Sequence, residues 1–239
     1  MQEGVAVAIE VDGWAVVAFV GYIVVLIGIG AWSARFSSQG IGNFFVGGRV
    51  MNRWVVALSA VVSGRSAWLL LGVTGMAWSM GASALWAVVG YTAVEFVLFL
   101  TLARRLRRFA GARDCVTLTD IFAERLSDHD GRLRAVLSVV ILCFMAAYVS
   151  SQFVGGGKAI GASFGLQPTT GILLTAAIVL LYTTVGGFLA VSLTDTLQAF
   201  FMLFALLAIP LLAVGPVGGW GVVSGELAAW DPSFLDPLA

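Results

Sequence analysis

Arg65 stands in the run Ser63-Gly64-Arg65-Ser66-Ala67-Trp68, inside an apolar stretch, Trp54–Ala103, whose only other charged residue is Glu95. A guanidinium at bilayer depth is costly unless it faces protein or water. The two serines add polar groups, and glycine weakens a helix interior by up to about 1 kcal/mol relative to alanine. Such a combination is expected where a spanning helix is broken and its freed peptide groups line a cavity. The competing reading is that Ser63, Gly64 and Ser66 only let helices pack closely. Glu95 is the one carboxylate within reach at that depth, so an Arg65–Glu95 ion pair is expected. The pair is either purely structural or also leaves Arg65 facing a path for solute.

Other polar groups carry weaker signals. Tyr148 lies near Ser150, Ser151 and Gln152, either as a pocket wall or bonded to a neighbouring helix. Asp195, between Thr194 and Thr196, reads as a helix cap, an ion-path group, or both. Trp68 taken alone is more often packing than a ligand contact. His129 stands between Asp128 and Asp130 and reads as a solvated loop residue, because a metal site needs more convergent ligands. Cys115 and Cys143 read as plain thiols. No phosphate-binding glycine motif, nucleophile elbow or zinc spacing is present, so nothing points to an enzyme.

The elements that must position these residues are membrane helices. Hydrophobic residues make up 60% of the chain, charged residues 11%, and mean hydropathy is +1.00, far from soluble composition. Gly13–Ala34, Ala135–Gly157, Ala159–Thr194 and Thr196–Gly225 hold no Asp, Glu, Lys or Arg. A run of about 18 apolar residues suffices to cross a bilayer. The expected fold is all-α and integral to the membrane, a single membrane domain over 1–239. Its six transmembrane helices fall near 13–34, 54–80, 83–103, 135–157, 168–187 and 196–215. The first residues carry Glu3, Glu10 and Asp12 without Lys or Arg, so no cleavable signal peptide is expected.

Arginines set the orientation. Arg35, Arg49 and Arg53 fall in the first loop, and Arg104, Arg105, Arg107, Arg108, Arg113, Arg125, Arg132 and Arg134 in the loop 104–134. Cytoplasmic loops collect Lys and Arg. Both tails are acidic, so both termini are expected outside a cell membrane crossed several times. Within 104–134, Thr117–Arg125 opens with capping residues and reads as a short helix on the inner face. Its basic residues serve topology and anionic headgroups rather than nucleic acid.

Several segments resemble the solute:sodium symporter family. They are Phe45-Val46-Gly47-Gly48-Arg49, Ala57-Leu58-Ser59-Ala60 followed by Ser63 and Ser66-Ala67-Trp68-Leu69-Leu70-Leu71-Gly72, Arg104-Arg105-Leu106-Arg107 with Leu118-Thr119-Asp120-Ile121-Phe122, and Gly186-Gly187-Phe188-Leu189-Ala190-Val191-Ser192-Leu193-Thr194-Asp195-Thr196-Leu197-Gln198. The resemblance implies a leading helix plus the first five-helix inverted repeat, with a discontinuous second helix and binding at the midplane. It implies sodium-coupled symport of proline or a similar small organic solute. Backbone carbonyls of Val62 and Arg65 would hold sodium, the only metal implied; substrate contacts would fall at Ser63, Gly64, Ser66, Ala67, Trp68 and Tyr148. Arg49 and Asp195 match charged positions associated with ion coupling, alongside the Arg65 and Glu95 charges. No organic cofactor is implied.

This sequence departs from the proline-carrying branch at two positions. That branch has an aspartate where Gly64 stands and a methionine where Arg65 stands. The exchange works against a cation and suits a carboxylate-bearing solute. The chain is expected to be a fragment lacking the second repeat, unable to transport alone. Alternatives are the membrane sensory module of a histidine kinase, or a symporter for pantothenate, a sugar or urea.

Overall fold

The computed structural model describes residues 12–49 and 51–238, the Leu70 side chain excepted. Glu3 and Glu10 of the acidic tail lie outside the described residues. The described elements are helical: α1 Gly13–Ser37, α2 Ile41–Val46, α3 Arg53–Ala67, α4 Thr74–Met80, α5 Leu85–Leu98, α6 Arg104–Ala112, α7 Leu118–Arg125, α8 Arg132–Phe164, α9 Pro168–Val217 and α10 Trp220–Trp230. No strand occurs among the described residues. Wider π-helical turns join α3 to α4 (Trp68–Val73) and α5 to α6 (Phe99–Ala103). Four helices are long and apolar enough to cross a membrane, or five if the bent pair Ile41–Arg49 and Arg53–Ala67 forms one span.

The chain divides into two compact units, Met1–Val61 with Leu137–Thr196 and Val62–Val136 with Leu197–Ala239. In the first, α1 starts at Asp12, whose side chain accepts from the Trp14 amide at 3.1 Å. It packs on α9 through small residues. A Cβ on Gly30 would lie 3.0 Å from the Tyr182 side chain, and one on Gly186 would lie 2.9 Å from the Gly30 carbonyl. The Ser37 hydroxyl donates to the Gly186 carbonyl in a buried bond. Gly157 of α8 meets the backbone of Gly171 and Ile172 on α9. Close backbone approach through glycine is how helices associate where the surroundings are as apolar as their side chains.

Gly187 interrupts α9 at φ 61°, ψ −157°, a conformation nearly confined to glycine. The Gly186-Gly187 break expected from the sequence is therefore present. The chain resumes helix at once and carries Asp195 in mid-helix, so Asp195 is not the helix cap the sequence suggested.

In the second unit, the turn between α4 and α5 rests on Gly81 (φ 61°), against which the backbone of Phe234 packs. The Trp86 indole donates to the Pro237 carbonyl at 2.7 Å, and Trp78 meets Trp230 edge-on at 5.3 Å. The expected loop 104–134 is more helical than its charge suggested, because α6 continues the apolar helix through its arginines. The expected short helix is α7. Thr117 and Asp120 close a reciprocal capping box, each side chain bonding the other's amide. The acidic C-terminal segment, expected outside the membrane, contains α10.

Partial burial raises the Asp120 carboxyl, but hydrogen bonds from Thr117 and Val116, helped by Arg134, outweigh it and hold its pKa below the usual value. Burial pushes the Cys115 thiol upward, with Glu124 and Asp120 adding to the effect.

Two outcomes follow from these packings. Gly187→Ala forces a methyl within 2.9 Å of the Phe44 carbonyl and 3.0 Å of Ser37 Oγ at a strained φ. It is expected to lose about 1–3 kcal/mol in detergent melts. Gly225→Ala, with nothing within 4 Å, is expected to lose none. A carboxyl depressed in the folded state stabilises fully above its unfolded pKa of about 3.9 and loses that stabilisation as pH falls through the folded value. Hydrogen exchange of α7 amides is therefore expected to stay protected down to about pH 4 and to weaken below it, with Asp120→Asn abolishing that step.

Candidate functional site

The break in α3 falls at Ser66, the last residue of the polar run Ser63–Ser66 from which an interruption was expected. Ser66 has φ 48° and ψ −169°, a region almost exclusive to glycine that costs a side-chain-bearing residue about 1–3 kcal/mol. The helix continues beyond it in the wide turn Trp68–Val73. The Trp68 amide donates to Ser66 Oγ at 3.3 Å. The expected interruption of the second span is therefore present.

Facing the break is one side of α5. Tyr91 and Glu95 are four residues apart and so share a helix face. The Tyr91 hydroxyl donates to the Gly64 carbonyl at 3.0 Å. A Cβ on Gly64 would lie 2.8 Å from that hydroxyl oxygen, so glycine here admits the bond. Arg65 Nη2 lies 3.0 Å from Glu95 Oε2, with the two side chains 17% and 22% exposed. The guanidinium also sits 4.6 Å from the centre of the Tyr91 ring. The Trp68 and Tyr91 rings are 5.7 Å apart. The ion pair expected from the sequence is thus present, and Tyr91 organises it from two sides. At 3.0 Å the gross attraction is about 5–6 kcal/mol at an effective dielectric near 20, much of it offset by lost hydration.

Asp195 belongs to a separate buried cluster in the first unit. It is 8% exposed, and Ser59 Oγ donates to its Oδ2 at 2.7 Å. Tyr182 hydrogen-bonds Thr194 beside it. The Ser33 and Ser192 hydroxyls are fully buried and find no hydrogen-bond partner among the described residues. Arg49 is exposed at a positive φ of 58°.

Val62 lies in the intact turn of α3 before the break, and the Arg65 peptide adjoins it. Ser63 is exposed and Ala67 half-buried beside the kink. Tyr148 lies on α8 in the first unit, 40% exposed. No group of three His, Cys, Asp or Glu side chains forms a metal set among the described residues.

Tyr91 and Ser59 were given no role from sequence. Tyr91 carried a readable signal, a hydroxyl four residues from the intramembrane Glu95. Ser59 carried none, since its partner is 136 residues away.

The model of the Sodium:solute symporter family matches residues 44–238. The chain belongs to this family. It is 35% identical over 236 residues to sodium/proline symporters of Staphylococcus aureus strains JH9, USA300 and NCTC 8325, covering 98% of this chain and 46% of each relative. The family member thus spans about half the length of these curated relatives. No solved structure matches it.

Separate removal of each charge, as Arg65→Met and Glu95→Gln, is expected to destabilise the chain more than removing both. The coupling in detergent melts is expected to be on the order of 1–3 kcal/mol, and additive losses would show that the contact carries no energy.

Proposed function

We propose that this chain forms the solute- and sodium-binding part of a secondary transporter that carries proline or a similar small organic solute across the cell membrane. The observation that carries this reading is the interruption of α3 at Ser66, with the Gly64 carbonyl and a charged pair gathered beside it. A helix bearing such features inside a bilayer is stable only where protein or a cavity faces them.

Six spans are proposed. α9 holds 50 residues, about twice what one crossing needs, and Gly187 divides it into two. The arginines of α6 and of the loops around it lie on the cytoplasmic side, which puts both ends of the chain outside. α1 leads, and the five spans after it constitute one repeat of an inverted pair. Sodium is proposed to bind peptide carbonyls near the break, those of Val62 and Arg65, and solute to contact Ser63, Gly64, Ser66, Ala67 and Trp68. The relatives are about twice as long, and the hydroxyls completing a sodium site are assigned to a second repeat in the part this chain does not span. The mechanism is alternating access with no covalent chemistry.

Joined to a second repeat that supplies those hydroxyls, the chain in nanodiscs is expected to show saturable solute binding that strengthens with sodium and is unaffected by equimolar potassium. Binding that ignores sodium but follows pH would replace sodium with protons as the coupling ion.

A further inference from the structure

The arginines of 104–134 fall into two groups. Arg113 pairs with Glu124 at 3.2 Å, Arg132 with Asp130 at 3.7 Å and Arg134 with Asp120 at 3.5 Å. Arg125 stands in the last turn of α7. From 113 to 134 these four arginines are set against five acids, Asp114, Asp120, Glu124, Asp128 and Asp130. α6 is different. Arg104, Arg105, Arg107 and Arg108 share it with no acid, and all four are exposed. None of them forms a salt bridge among the described residues.

At about 100° per residue the four side chains fall within roughly 160° of the helix circumference. Leu106, Phe109 and Ala110 occupy the other side and are half-buried. Residues three and four apart are neighbours on a helix, and like charges so placed repel. Arg104 is such a neighbour of Arg107 and Arg108, and Arg105 of Arg108. No carboxylate among the described residues offsets this repulsion, so the anion that does so comes from outside.

The helix sets the depth at which that anion is met. Residues 85–103 run directly into α6 and rise about 28 Å at 1.5 Å per residue, close to the ~30 Å of bilayer hydrocarbon. With that segment as a span, the arginines emerge where lipid phosphates begin. A guanidinium fork matches a phosphate in geometry as well as in charge, and an anionic leaflet attracts arginines next to a span. A soluble anion has to displace lipid phosphates that are already adjacent.

We infer that α6 is a docking surface for the phosphates of anionic phospholipids, through Arg104, Arg105, Arg107 and Arg108, and that the α7 segment after it takes no part. The inference goes beyond transport and requires only that α5 crosses a bilayer.

The test is native mass spectrometry of the full chain from mixed micelles of phosphatidylcholine and phosphatidylglycerol, which reads the lipid that stays bound. Phosphatidylglycerol is expected to be retained in preference, and the preference to fall as salt is added. Arg104→Gln with Arg108→Gln is expected to lower it by about fivefold for each arginine removed. Arg125→Gln and Arg132→Gln are expected to leave it unchanged. Equal retention of the two lipids by the unmodified chain overturns the inference, as does an equally large loss in Arg132→Gln. Displacement of phosphatidylglycerol by polyglutamate, or by free phosphate at an ionic strength where chloride has no effect, assigns the arginines to a soluble anion and overturns it too. The α6 arginines are exposed, so their replacement is expected to spare the fold; should the double variant not fold, the two lipids on the unmodified chain decide. The transport reading stands or falls separately, since none of these outcomes involves sodium or solute.

Discussion

A charge inside a bilayer must be answered locally, and the second unit is built around one such answer. Arg65 and Glu95 neutralise each other across α3 and α5 at 3.0 Å. Tyr91 then satisfies two further demands at once. Its ring faces the guanidinium, and its hydroxyl takes the Gly64 carbonyl. Each contact depends on a small residue or a bend elsewhere: Gly64 leaves room for the hydroxyl, and Ser66 turns the chain so that the helix resumes beyond it. The strain at Ser66 persists because these neighbours hold the residues on either side of it.

The first unit solves a different problem with different means. Its helices approach through Gly30, Gly157, Gly171 and Gly186, which bring backbones together. Polar groups are then buried in pairs, Ser37 with the Gly186 carbonyl and Ser59 with Asp195. Asp195 sits well inside α9 because the helix restarts directly after Gly187. A carboxylate in that position is held by a hydroxyl from another helix rather than by its own helix terminus.

Much of this was legible in the chain itself. Uncharged runs marked the membrane helices, because hydrocarbon tolerates few charges. The Gly186-Gly187 pair marked the break in α9, and the Thr117 and Asp120 pattern marked α7. The Arg65–Glu95 contact could be reasoned out because at bilayer depth each had a single candidate partner. Other features were not readable. The break in α3 fell on a serine, where local preference points to the glycine two residues earlier. The extension of helix through Arg104–Ala112 defeated a reading based on charge, since arginine is a good helix former. Ser59 owes its role to a partner 136 residues away, which no local pattern encodes.

The wide turn at Phe99–Ala103 lies between Glu95 and the arginines of α6. Such a turn holds one more residue than an ordinary α-helical turn, and each residue advances the helix by about 100°. Relaxing it to ordinary α geometry would swivel Arg104–Ala112 by about 100° about the axis while leaving Glu95 where it stands. This end of the helix can thus change which arginines it presents without disturbing the charge pair a few turns away.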